Sequence, residues 1–240
     1  MHIVLIPGLW LDGSSWDRVI PVLEQAGHTT HPLTLPGLES KDADRSTIGL
    51  RDHIDAIVAA VDAVPEDDGQ VLVVGHSLGA GLAYAVADAR PDRVARTVYV
   101  GGFPAVDGEP LGSFAAENGE IPLPSWEDLG EDDLKDLDDA ARADFRARAI
   151  PSPERVTTDP VRLTSDRRYD VPVTVICPEF TAADLREWID GGAPPVQEFT
   201  RLRDVEYVDL PTGHWPQFSR PEDLGRAIND AAAKATQAAG

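Results

Sequence analysis

Val71-Leu72-Val73-Val74-Gly75-His76-Ser77-Leu78-Gly79-Ala80-Gly81-Leu82-Ala83-Tyr84 carries three structural instructions in a row. Val71–Val74 is continuously apolar, as a strand buried on both faces should be. Gly75 and Gly79 bracket a serine, and a sharp strand-to-helix turn tolerates only small residues beside it. From Leu78 onward the apolar positions Leu78, Leu82, Ala85, Val86 and Ala89 recur at helical spacing. Strand, Gly-x-Ser-x-Gly turn and helix together describe a nucleophile elbow, which holds a serine hydroxyl above the edge of a sheet. The five-residue pattern alone occurs by chance; in this setting it marks Ser77 as a candidate nucleophile.

Outward from the elbow, short apolar runs alternate with helical patterns, the signature of a parallel sheet covered by helices. Expected strands are Ile3–Ile6, Thr29–Leu35, Val71–Val74, Thr97–Val100, Val173–Cys177 and Val205–Leu210. Leu50, Ile54, Ile57, Val58 and Val61 form one helical face, and Leu224, Ile228 and Ala231 another. Ser219-Arg220-Pro221-Glu222 reads as a capping box opening the last helix. The tail 231–240 is low in complexity and is expected to fray beyond its helix. Residues 103–170 break the rhythm with Pro, Gly and acid, while Leu129, Leu134, Leu137 and Phe145 are spaced to anchor short amphipathic helices. Lying between two core strands, this segment reads as a lid on a single domain whose core is 1–102 and 171–240.

The chain has 240 residues with a formal net charge of −21. Such a field repels nucleic acid and anionic lipid and favours solubility. No run approaches the roughly 18 apolar residues of a membrane span. Ile3–Ile6, ended by Pro7-Gly8, is too short for a secretory core. The single cysteine, Cys177, makes no internal disulfide and ends a buried strand, so it reads as a small core residue in a reducing, cytoplasmic setting. No His, Cys and carboxylate cluster has metal-ligand spacing, and no glycine-rich phosphate loop is present. No metal or organic cofactor is expected.

Gly213-His214-Trp215-Pro216 follows the last expected strand and precedes the last helix. An imidazole there is placed to take the proton of Ser77 and return it to a leaving group. His76 reads as packed beneath the elbow, and His2, His28, His31 and His53 lie at strand edges or on a helix. After the first strand, Pro7-Gly8-Leu9-Trp10 can turn backbone N–H groups toward the same point. The N–H groups of Leu9 and Leu78 then make an oxyanion hole. Of the aromatic residues near these loops (Trp10, Phe103, Trp126, Phe180 and Trp215), Trp10 and Trp215 are the ones expected in a substrate pocket.

With those residues in their order, the chain resembles the α/β-hydrolase fold family over nearly its whole length. It is similar to the small esterase branch that includes plant methyl-ester hydrolases and hydroxynitrile lyases. The resemblance implies a mostly parallel sheet flanked by helices, a lid after the strand that follows the elbow helix, and a serine–histidine–acid triad. Two departures stand out. The usual His-Gly oxyanion loop is Pro7-Gly8 here, which matters little because backbone groups do the work. The aspartate expected just after the penultimate strand falls near Phe180 or Thr181, neither of them acidic. Glu179 is the first candidate for the acid; Asp107, after the strand 97–100, and Asp184, in the first turn of the next helix, remain alternatives.

The activity implied is hydrolysis of a small ester or lactone through an acyl-enzyme. Cyanohydrin lyases and carbon–carbon bond hydrolases share the fold, but the lyases use a lysine near the pocket, and none of Lys41, Lys135 and Lys234 is obviously beside the triad. A non-catalytic ligand-binding member is the remaining alternative, and its support is the displaced acid. Substrate identity and oligomeric state are not legible.

Overall fold

The computed structural model describes residues 1–238. In chain order its elements are β1 (His2–Ile6), α1 (Ile20–Gln25), β2 (Thr29–Pro32), α2 (Leu50–Asp62), β3 (Val71–His76), α3 (Leu78–Ala89), β4 (Val94–Val100), β5 (Glu120–Ile121), α4 (Asp139–Arg148), β6 (Ser152–Pro153), α5 (Glu154–Thr158), β7 (Val173–Cys177), α6 (Ala182–Asp190), β8 (Val205–Asp209), α7 (Pro216–Ser219) and α8 (Pro221–Ala238). Six strands form one sheet in the order β2-β1-β3-β4-β7-β8. Every neighbouring pair in it is parallel. The strand pairing agrees with the expected mostly parallel sheet; among the described residues antiparallel pairing occurs between β5 and β6 and at an isolated bridge between Glu117 and Glu120.

Strand side chains alternate between faces, and each face has its own core. Ile3, Leu5, Leu72, Val74, Val98, Val100 and Ile176 pack with α1 and α8. Val4, Ile6, Val71, Val73, Val173 and Val175 pack with α2 and α3. Burial on both sides is why these strands read as unbroken apolar runs. Chain direction along the sheet reverses between β1 and β3, the crevice where parallel sheets gather their functional loops.

Residues 103–170 are stitched to the core at their C-terminal end. Asp88 on α3 accepts from the backbone N–H groups of Thr164 and Ser165 at 3.0 and 2.7 Å. It also pairs with buried Arg168 at 3.2 Å. A third apolar cluster joins Ile121, Leu134, Leu137 and Phe145 of this segment to Leu9, Trp10, Leu11 and Trp215. At about 1.5–3 kcal/mol per buried large apolar side chain, that cluster is enough to hold the segment down.

Three expectations need correction. Of the leucines and phenylalanine proposed to anchor helices, only Phe145 lies in one, α4, capped by Asp138 through the Ala141 N–H at 2.8 Å. Leu134 is buried from a turn and Leu137 from the irregular stretch just before α4. Ser219 is no N-cap: it ends α7, its hydroxyl donates to the Trp215 carbonyl at 3.4 Å, and Glu222 pairs with Arg226. The tail stays helical through Ala238 because Ala231, Ala232 and Ala235 are buried; residues 239–240 lie outside the described residues.

Candidate active site

β3 delivers Ser77 to the C-terminal edge of the sheet in a conformation few side-chain-bearing residues adopt, φ +53° and ψ −121°. Such strain costs on the order of 1–3 kcal/mol and persists only where its surroundings enforce it. Here the Ser77 N–H donates to the Val100 carbonyl at 2.8 Å, and the Ala80 N–H donates to the Ser77 carbonyl at 2.9 Å. A β-carbon on Gly75 would collide with the Gly79 carbonyl, and one on Gly79 would lie 2.9 Å from the Pro7 carbonyl oxygen. Both motif glycines are steric requirements of the turn.

His214 comes from the loop after β8. Its Nε2 accepts from the Ser77 hydroxyl at 2.8 Å, and its Nδ1–H donates to Glu179 Oε1 at 2.7 Å. A carboxylate accepts only, so the proton belongs on Nδ1 and the Nε2 lone pair faces the serine. Glu179 lies just past β7. The two loops are tied by the Leu210 N–H to the Cys177 carbonyl (2.9 Å) and the Thr212 N–H to the Pro178 carbonyl (3.2 Å). Glu179 Oε2 is buried with no partner. Gly101, at φ +59°, leaves it room: a β-carbon there would stand 3.3 Å from Oε2 and 3.4 Å from His214 Nδ1.

The other two acid candidates are engaged elsewhere. Asp107 accepts from the Leu163 N–H at 2.9 Å and so closes the base of the inserted segment. Asp184 forms a capping box with Thr181 at the start of α6, whose hydrogen bonds hold its carboxyl below the usual range.

His76 is fully buried beneath the elbow. Its Nε2–H donates to the His214 carbonyl at 2.7 Å, and the Gln217 amide donates to its Nδ1 at 3.3 Å. Burial, with the neighbouring His214, pushes its pKa down to about 3, so it is a neutral strut under the histidine loop. From above, the His214 N–H donates to the Asp133 carbonyl at 2.8 Å.

Gly8 makes the close approach on the opposite side, where a β-carbon would lie 2.7 Å from His76 Nδ1 and 3.1 Å from Ser77 Cβ. The Trp10 N–H is taken by the Ser152 hydroxyl at 2.9 Å. The N–H groups of Leu9 and Leu78 have no acceptor among the described residues. That of Leu78 also begins α3, where helical N–H groups are unpaired and favour negative charge.

Ser77 opens into a cavity of about 710 Å³ lined by Leu78, Phe103, Leu111, Phe114 and Pro194, with Glu109 the one charged group on its wall. Trp10 and Trp215 do not line it, contrary to expectation. The Trp10 indole turns away to donate to the Ile121 carbonyl at 3.1 Å, and Trp215, 2% exposed, packs edge-on against Phe145. Both belong to the cluster that holds the inserted segment in place. Leu111, Phe114 and Pro194 were missed; their only sequence signal is apolar character inside otherwise polar loops.

Neither Lys41, bonded to the Ala147 carbonyl, nor Lys234, paired with Glu206, approaches the serine. Lys135 borders a small pocket on the outer side of Glu179, not the Ser77 cavity. Among the described residues one group of acidic and histidine side chains lies close enough together to share an ion, namely Asp133, Glu179 and His214. Two of the three are already spent on each other. No helix among the described residues is long and apolar enough to cross a membrane.

Comparison with known proteins gives a consistent result. The model of the alpha/beta hydrolase family matches residues 3–227. Methylesterase 7 of Arabidopsis thaliana is 25% identical over 249 residues, covering 92% of this chain and 92% of that protein. The pyrethroid hydrolase of Sphingobium wenxiniae is 27% identical over 256 residues, covering 95% and 86%. Among solved structures, an extracellular alpha/beta-hydrolase from a Paenibacillus species superposes with a TM-score of 0.75 at 21% identity, covering 96% of this chain and 98% of that one.

Proposed function

The chain belongs to the alpha/beta hydrolase family, and from that premise we propose that it is a serine hydrolase cleaving small carboxylic esters or lactones through an acyl-enzyme. The observation that carries this reading is the unbroken chain from Glu179 through His214 to Ser77, with both links under 3 Å. Ser77 Oγ attacks the carbonyl carbon as its proton passes to His214 Nε2. The carbonyl oxygen gains the charge and rests against the N–H groups of Leu9 and Leu78. The imidazolium, held through Nδ1 by Glu179, then protonates the leaving alcohol as the C–O bond breaks. Water activated by the same imidazole cleaves the acyl-serine and restores the free hydroxyl.

The cavity supports a small-molecule substrate with an apolar body, since about 300–1,000 Å³ is the range of small-ligand sites. The relatives named as methylesterases and a pyrethroid hydrolase support an ester. Residues 103–170 act as a lid: they contribute Leu111 and Phe114 to the cavity and rest on the histidine loop. No structural feature favours the lyase reading, because no lysine lines the cavity.

A fluorophosphonate probe together with p-nitrophenyl esters from acetate to octanoate tests the proposal. Wild type should label and turn over, Ser77→Ala should do neither, and Leu111→Ala should change the preferred acyl length. Absence of labelling and turnover in wild type would overturn it.

A further inference from the structure

Residues 130–137 do more than cover the site. The Asp133 carbonyl takes the His214 N–H at 2.8 Å. Gly213 lies so close to the carbonyls of Asp133 and Lys135 that a β-carbon there would collide with both. The Asp133 side chain is steered to the same place. Its Oδ2 accepts the Gly130 N–H at 3.2 Å, and one of its oxygens lies within 4.8 Å of both a Glu179 oxygen and a His214 ring nitrogen. Two carboxylates therefore flank one imidazole, one bonded to it and one not.

We propose that Asp133 is a positioning residue for the reaction proposed above: it acts through the Glu179–His214 pair, as a second negative charge that favours the imidazolium formed when Ser77 attacks.

Before attack the neutral imidazole has two carboxylates beside it, with oxygens within 4.8 Å of each other and Glu179 Oε2 unbonded. Once the ring takes the serine proton, its positive charge lies within reach of both. An interaction that strengthens only as the transition state is reached raises kcat without tightening substrate binding. The other titratable groups around the ring do not duplicate it. His76, 5.0 Å away between ring centroids, is neutral. Lys135 and Asp132, which line the small pocket outside Glu179, carry opposite charges.

Asp133→Asn separates the side chain's charge from everything else, since the backbone carbonyl and an acceptor for Gly130 both remain. Its expected signature is a fall in kcat of about three- to tenfold with KM within twofold. The acidic limb of the pH–rate profile should move down by roughly 0.5–1 pH unit, modest for an opposite charge at about 4–6 Å because Asp133 is half exposed. Asp136→Asn, an exposed position on the same turn, removes the same net charge and should leave the profile in place. A readout independent of turnover is the titration of the His214 ring by NMR in histidine-labelled protein, assigned with His214→Gln. It should move to lower pH in Asp133→Asn and not in Asp136→Asn. Equal movement in both variants, or none in either, overturns the proposal. If wild type hydrolyses no ester, the NMR titration still decides the role of Asp133, and the failure belongs to the ester reading.

Discussion

Glu179 is where a single perturbation discriminates most. Its carboxylate is bonded to His214 at 2.7 Å, both side chains are less than a fifth exposed, and no other acceptor reaches Nδ1. Glu179→Ala leaves the ring free to rotate and to carry its proton on the wrong nitrogen, a defect that in serine triads costs about 10⁴ to 3 × 10⁴ in kcat. At about 1.36 kcal/mol per tenfold, that is roughly 5.4–6 kcal/mol of transition-state stabilisation. Glu179→Gln should be comparably damaging, about 10⁴, because an amide that turns its NH2 to Nδ1 holds the wrong tautomer. One that turns its oxygen to Nδ1–H instead leaves the NH2 buried without a partner at the Oε2 position. KM should stay within about threefold in both, because Glu179 does not line the substrate cavity. The assay is steady-state hydrolysis of the best p-nitrophenyl ester, with circular dichroism to confirm folding and Asp107→Asn and Asp184→Asn as comparisons. Retention of more than a tenth of kcat in Glu179→Ala, or a collapse in either comparison variant that keeps its fold, would refute the assignment.

Ser77→Gly should abolish turnover and raise thermal stability. Relief of positive-φ strain, set against the added chain entropy of glycine, leaves a gain of about 1 kcal/mol, or roughly 2–4 °C in Tm by calorimetry. A lower Tm would mean that the elbow is not strained. The buried His76 should also make the fold acid-sensitive. Its folded pKa of about 3 lies below the ordinary 6.5, so the unfolded chain takes up the proton first as pH falls. Stability is therefore intact above about pH 6.5 and declines below it, by about 1.4 kcal/mol per pH unit per group, until the pH nears 3. Unfolding free energies from urea titrations at pH 7 and pH 5 should differ by about 2 kcal/mol from this residue, and a flat profile would contradict its burial as a neutral base.

Most of the architecture was legible because it rests on local rules. A strand buried on both faces must be apolar throughout, a turn as tight as 75–79 must use glycine, and a helix must repeat its apolar positions; residues 71–89 satisfy all three in order. The same logic marked Ser77, His214 and Gly8 as candidates, each at a strand end, and the fold brings the three close together.

The acid, the pocket and the contacts of residues 103–170 were of another kind. Glu179, Asp107 and Asp184 are all acids near strand ends, and chain position does not separate them. What separates them is the pairing of β7 with β8, which sets Glu179 beside His214, while local N–H groups claim the other two. Trp10 and Trp215 flank the right loops, but a side chain's direction depends on what it packs against, and Phe145 and Ile121 drew them away from the cavity. In the sequence Asp133 reads only as part of an acidic run facing water, 46 residues before Glu179 and 81 before His214 by their numbers. Periodicity describes how a segment meets its immediate neighbours; contacts across such distances exist only once the chain has closed.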